Sequence, residues 1–110
     1  MAEFVKGDVV VVPFPFSNLT DTKRRPALVL CRLDGDDLIL CQITSRQVQD
    51  RDAIPLEDKD FASGGLRQPS NVRPNRIFTA DRALVLYRAG NLNARKLSEV
   101  VDGLIEILRR

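Results

Sequence analysis

Short apolar runs separated by turn-forming residues fill most of the chain, and a 3.6-residue apolar rhythm replaces them near its C-terminal end. After the turn pair Gly7-Asp8, the run Val9-Val10-Val11-Val12 is β-branched throughout and too short for a helix, which predicts a buried strand. Pro13 and Pro15 alternate with Phe14 and Phe16 and confine that end of the strand to an edge or a bulge. From Ser17 to Lys23 the chain is polar, with Asn18, Thr20 and Asp21 as turn formers, so a loop long enough to move is expected. Arg25 to Leu33 predicts a second strand, Asp34-Gly35-Asp36 a tight turn, and Leu38 to Thr44 a third strand, together an antiparallel hairpin. Ala53 to Leu56 is a shorter strand, followed by an acidic stretch and a loop around Gly64-Gly65. Val72 to Thr79 is extended, with Pro74 interrupting it. The segment Ala83-Leu84-Val85-Leu86 fits a strand or a helical turn, and a strand is expected over Asp81 to Tyr87.

Beyond Asn93, apolar residues fall at Ala94, Leu97, Val100, Val101, Leu104, Ile105 and Leu108, the stripe of an amphipathic helix with Asn93 placed as its N-cap. Gly103 in its interior costs about 1 kcal/mol relative to Ala, so the helix either packs closely there or tolerates the loss. Arg109 and Arg110 suit the negative end of the helix dipole. Five to seven short strands and one helix give a mainly β (α+β) fold: a small, strongly bent sheet or partial barrel with the helix laid across it.

A chain of 110 residues is the size of a single domain, spanning 1–110. Its 44% hydrophobic and 29% charged residues are ordinary for a globular protein and exclude a disordered or low-complexity chain. The net charge of +2 says little about partners, but its distribution says more. Phe61 to Gly90 holds Arg67, Arg73, Arg76, Arg82 and Arg88 against the single acid Asp81, whereas Asp50 to Asp60 holds five acids, so a local basic face is expected. No apolar stretch approaches the ~18 residues of a membrane span, and the N-terminus lacks the apolar core of a secretory signal; a cytoplasmic protein is expected. Cys31 and Cys41 match neither a redox pair nor a zinc site, and buried free thiols are expected over a cross-strand disulfide.

Histidine is absent, which removes imidazole metal sites, Cys-His pairs and the Ser-His-Asp triad. Gly64-Gly65 is followed by no Lys-Ser/Thr, so the phosphate-binding loop is excluded as well. What remains is arginine and hydroxyl chemistry. Lys23-Arg24-Arg25 runs directly into the strand-like Pro26-Ala27-Leu28-Val29-Leu30, and Pro26 pushes Arg25 toward extended geometry, placing a planar cation at the entrance of a strand. Hairpin geometry returns Thr44-Ser45 close to Arg25. An arginine and a hydroxyl at one edge suit a phosphodiester: attack by a 2′-hydroxyl needs a proton acceptor, a donor to the leaving oxygen and cations for the non-bridging oxygens. A guanidinium binds phosphate well and donates protons poorly, and Thr44 alone equally suits the closing of a turn.

Gly7-Asp8-Val9-Val10, Lys23 to Leu30, Cys41-Gln42-Ile43-Thr44-Ser45, and Val72-Arg73-Pro74-Asn75-Arg76-Ile77-Phe78-Thr79-Ala80-Asp81 together resemble the MazF/PemK toxin family, in order and over nearly the whole chain. The resemblance implies an SH3-like barrel with a C-terminal helix, similar to CcdB, MazF and Kid, and a homodimeric toxin of a type II toxin-antitoxin system. It implies metal-independent, sequence-selective cleavage of single-stranded RNA to 2′,3′-cyclic phosphate and 5′-hydroxyl ends, with no cofactor. It also implies a cognate antitoxin whose acidic, flexible tail occupies the RNA groove, with operator DNA bound only through their complex. By match to the family's motifs, Arg25, Thr44 and Arg73 are the catalytic candidates. Lys23, Arg24, Ser45, Arg46, Ser70, Asn75 and Arg76 are the RNA-binding ones, and Ser17 to Lys23 is the lid over the RNA. One departure stands out: where PemK-like sequences often carry a basic aspartate this chain has Asn75, and an amide accepts no proton at neutral pH. A non-catalytic or degenerate member of the fold, acting through protein or operator DNA binding as CcdB-like toxins act on a protein target, is the competing expectation.

Overall fold

The valine run lies in the middle of the sheet because its side chains alternate into two cores rather than one. In the computed structural model, which describes residues 3–15 and 22–110, Val9 to Val12 belong to strand β1 (Asp8–Pro15). The other strands are β2 (Thr22–Arg32), β3 (Asp37–Thr44), β4 (Ile54–Leu56), β5 (Phe61–Gly64), β6 (Ser70–Asp81) and β7 (Tyr87–Leu92), and helix α1 (Ala94–Leu108) closes the chain. They form one antiparallel sheet of order β4-β6-β3-β2-β1-β7-β5, bent into a half-barrel. Val9, Leu28, Cys41, Ile43, Ile54, Leu56, Val72 and Val100 pack together on the face that α1 covers. Val10, Val12, Ala27, Val29, Leu38 and Leu40 pack on the opposite face with Phe14, Phe78 and Val85.

The prolines of β1 sit where they are tolerated. Strand β7 follows β1 only as far as the Val11–Tyr87 pair, so beyond Val11 β1 is paired, among the described residues, on its β2 side alone. The β2–β3 hairpin forms as expected, with Gly35 in the left-handed region at φ 81°. Helix α1 begins at the expected cap: the Asn93 side chain accepts from the Lys96 amide at 2.8 Å. Gly103 is explained by close packing, since a Cβ there would stand 3.2 Å from Ile54 Cδ1 on β4. The expected strand over Asp81 to Tyr87 is wrong. Asp81 accepts from the Ala83 amide at 2.8 Å and caps a single 3-10 turn, Arg82–Leu84, and a strand starts only at Tyr87.

That strand, β7, pairs with β5 in the region expected to be a loop, and facing glycines hide the pair from a reading based on apolar periodicity. A Cβ on Gly64 would fall 2.2 Å from the Ala89 carbonyl oxygen, and one on Gly90 2.4 Å from that of Ser63. Cys41 is buried, and burial pushes its thiol up to about 12. Cys31 lies exposed at the end of β2, contrary to expectation, after a bulge at Leu30. No helix among the described residues is long and apolar enough to cross a membrane.

Candidate functional site

Strand pairing decides which polar side chains share a surface. Arg25, Ala27 and Val29 alternate onto the face of β2 away from the helix, and Val12, their neighbour on β1, lies opposite Arg25. Arg25 is therefore three residues inside β2 rather than at its entrance. On β3, Leu38, Leu40, Gln42 and Thr44 take the same face. Ala27 pairs with Gln42, so continuing that register by two residues sets Arg25 across from Thr44, just past the last bonded pair. Thr44 is buried, and its hydroxyl accepts from the Arg46 amide at 3.1 Å, so it also closes the turn after β3.

Gln42 in turn faces Arg73 on β6, and there the ladder breaks. Cys41 pairs not with Pro74 but with Ile77, so Pro74, Asn75 and Arg76 are extra residues on one side of the pair. Pro74 is buried, Asn75 and Arg76 are exposed. The insertion opens a pocket of about 540 Å³ lined by Phe14, Gln42, Arg73, Asn75, Arg76, Ile77 and Phe78. Phe14 and Phe78 form one wall, packed edge to face with centroids 4.9 Å apart. From Arg25 to Arg73 is two strands across the sheet and two residues along it, roughly 12 Å between backbones at ordinary strand spacing and rise.

Other expected site residues are distributed unevenly. Lys23, opposite Phe14, alternates onto the same face as Arg25, and Ser45 and Arg46 are exposed just beyond Thr44. Arg24 alternates to the other face of β2. Ser70 is separated from the group: it shares the helix-covered face of β6 with Val72, is buried, and donates its hydroxyl to the Gln68 carbonyl at 3.0 Å. The expected lid, Ser17 to Lys23, falls mostly on residues 16–21, which lie outside the described residues, while Thr22 and Lys23 already belong to β2.

One member of the site escaped the sequence reading. Asp50, on the irregular segment between β3 and β4, places Oδ2 3.3 Å from Arg73 Nε, 3.2 Å from Arg73 Nη2 and 2.9 Å from Asn75 Nδ2. Its Oδ1 accepts from the Asp52 amide at 3.0 Å. These contacts, the Asp52 amide first, then the Asn75 amide and Arg73, hold the Asp50 carboxyl below the ordinary carboxylate range. Asp52 is anchored in turn by Arg110, whose Nη1 lies 3.2 Å from Oδ2. The acidic stretch was visible in the sequence, but its contact across 23 positions was not. Among the described residues no cluster of His, Cys, Asp and Glu has the makings of a metal site.

Fold and site define a small half-barrel protein whose helix-free face presents guanidinium, amide and hydroxyl groups side by side. The chain belongs to the PemK-like, MazF-like toxins of type II toxin-antitoxin systems, whose family model matches residues 5–108. Its fold is that of solved MazF structures. The Mycobacterium tuberculosis toxin MazF-mt6 is 19% identical with a TM-score of 0.73, covering 93% of this chain and 96% of that one. An endoribonuclease in complex with its cognate antitoxin from a mycobacterial species is 13% identical with a TM-score of 0.75, covering 96% and 95%. MazE-MazF from Deinococcus radiodurans is 23% identical with a TM-score of 0.71, covering 94% of each chain. No curated protein matches the chain significantly.

Proposed function

We propose that this toxin is an endoribonuclease that cleaves single-stranded RNA on the face away from α1. The reading rests on one observation above the others: Arg25, Thr44 and Arg73 alternate onto the same face of three neighbouring strands, β2, β3 and β6. In the reaction the ribose 2′-oxygen attacks the adjacent phosphorus and the P–O5′ bond breaks. The products are a 2′,3′-cyclic phosphate and a 5′-hydroxyl, with the 2′ proton passing to an acceptor and a proton reaching the leaving oxygen. Arg25 and Arg73 clamp the non-bridging oxygens, where charge builds in the transition state, and Arg73 faces the leaving oxygen. Thr44, its hydroxyl oxygen fixed by the Arg46 amide, directs its proton at the phosphate. Lys23, Ser45, Arg46 and Arg76 hold flanking phosphates, and Phe14 and Phe78 offer an aromatic wall to a base.

As a toxin of this class the chain acts with a cognate antitoxin, whose acidic segment competes with RNA for the same cations, and as a homodimer in the cytoplasm. Incubation of purified protein with a long RNA in EDTA, followed by end-group analysis, tests the reading. Discrete cuts with 5′-hydroxyl ends, lost in Arg25→Ala, are expected. Intact RNA at stoichiometric protein overturns it and leaves the protein-binding alternative.

A further inference from the structure

We propose that Asp50 is the proton acceptor of this site, a carboxylate brought in by the segment between β3 and β4 and seated against Arg73 and Asn75. The inference rests on the RNA-cleaving reading above and adds the group that reading lacks. Proton transfer from a 2′-hydroxyl needs a base within hydrogen-bond reach of the reacting phosphodiester. Gln42, Arg73, Asn75 and Arg76, the polar residues lining the pocket, offer amides and guanidiniums, neither of which accepts a proton at neutral pH. Asp50 is the only carboxylate among the described residues that is hydrogen-bonded to a residue lining this pocket.

Its placement is built rather than incidental. Three N–H donors from β6 converge on Oδ2, and the Asp52 amide holds Oδ1. The Asp50 carbonyl also accepts from the Ala53 amide at 3.1 Å, closing a turn that Asp52 and Arg110 pin from outside. The residue at position 75 fits this arrangement. A carboxylate there would meet Asp50 at the distance the Asn75 amide now spans, 2.9 Å, where two carboxylates repel and the pKa of one of them is strongly raised. An acid at 50 and an amide at 75 are thus two halves of a single choice about which element carries the base. When a phosphate enters, it competes for the Arg73 guanidinium. That exchange takes two of the three donors from Oδ2 and leaves only the Asn75 amide on it, so the carboxylate gains room for a proton as the substrate arrives. The step balances with solvent water alone: the 2′ O–H bond breaks and its proton goes to Oδ2, the 2′-oxygen bonds to phosphorus as the P–O5′ bond breaks, and the leaving 5′-oxygen takes its proton from water.

The test uses the full chain and a short single-stranded RNA containing a mapped cut. Asp50→Asn is expected to lower kcat by ~10² to 10⁴-fold with KM changed less than about threefold, in the range of a lost general base. The exchanged pair Asp50→Asn with Asn75→Asp, which moves the carboxylate to β6, is expected to recover at least tenfold of that loss. Asp50→Ala with added formate supplies an arm that does not depend on the exchanged pair folding, and formate-dependent recovery is expected. A wild-type protein that leaves RNA intact overturns both readings. Wild-type cleavage with an unimpaired Asp50→Asn, or one that gains activity through a lower KM, overturns this one alone. So does a folded Asp50→Ala that formate fails to revive.

Discussion

Two aspartate–arginine pairs in this molecule use the same chemistry for opposite ends. Asp8 is only 2% exposed; its Oδ2 accepts from the Val5 amide at 2.9 Å and lies 3.0 Å from Arg88 Nη2. Arg88 also donates to the Glu3 carbonyl and lies over the Phe4 ring, 5.3 Å from its centroid. Each of those partners belongs to the sheet or to the segment folded onto it, so the pair ties the start of the chain to β7. The Asp50–Arg73 pair is comparably sheltered, with side chains 12% and 19% exposed, yet it joins an irregular segment to the rim of a pocket. What a partly sheltered ion pair does is set by what its two ends are attached to: strand to strand fixes the architecture, segment to pocket wall fixes a site.

The contrast can be broken most strongly at Arg73. Arg73→Ala should reduce RNA cleavage by about 10³-fold, the scale of losing a group aimed at transition-state charge, while circular dichroism reports an unchanged fold. Asp8→Ala should do the reverse. It costs ~2 kcal/mol of stability in urea titration, as for a lost charge-assisted hydrogen bond, and leaves the rate of cleavage by the folded protein alone. Equal effects of the two changes on both measurements would erase the distinction.

Acid offers a finer probe. The folded-state carboxyl of Asp50 lies below its ordinary value of 3.8, so its contribution to stability is present above that value and fades as pH falls through the lower, folded one. The melting temperatures of wild type and Asp50→Asn should therefore keep a constant gap from pH 7 to about 5 and converge below 3.8. A gap that does not narrow at all as pH falls below 3.8 would mean that the ionised form is not what the contacts favour. The smallest effect belongs to Arg110→Ala. It removes an exposed anchor, so the melting temperature should hardly move, whereas hydrogen exchange of the amides at 50–53 should quicken.

The parts legible in the sequence were those governed by local rules. The Asp34-Gly35-Asp36 turn announced the β2–β3 hairpin, and Asn93 with its apolar stripe announced α1, because turn chemistry and capping act over a few residues. Strand β7 was lost because Gly90 contributes no apolar signal, its role being the space it leaves for Gly64. Arg25 and Thr44 were foreseen as neighbours since hairpin register is arithmetic. Ser70, expected beside them, lies on the opposite face, because membership of a motif does not say which face of a strand a residue occupies. Asp50 was unreadable for a different reason: its position depends on the path of an irregular segment, fixed by Arg110 at the far end of the chain.

The three-residue insertion in β6 carries a consequence beyond the pocket it opens. Three is odd, so the insertion reverses the parity of the strand: before it the even-numbered Val72 faces the helix side, and after it the even-numbered Phe78 and Ala80 face the opposite core. One strand thereby serves both interiors. Changes of length at this point are quantised as a result. Removing or adding two residues keeps every downstream side chain on its present side, whereas a change of one turns Phe78 away from Phe14 and inverts the remainder of the strand.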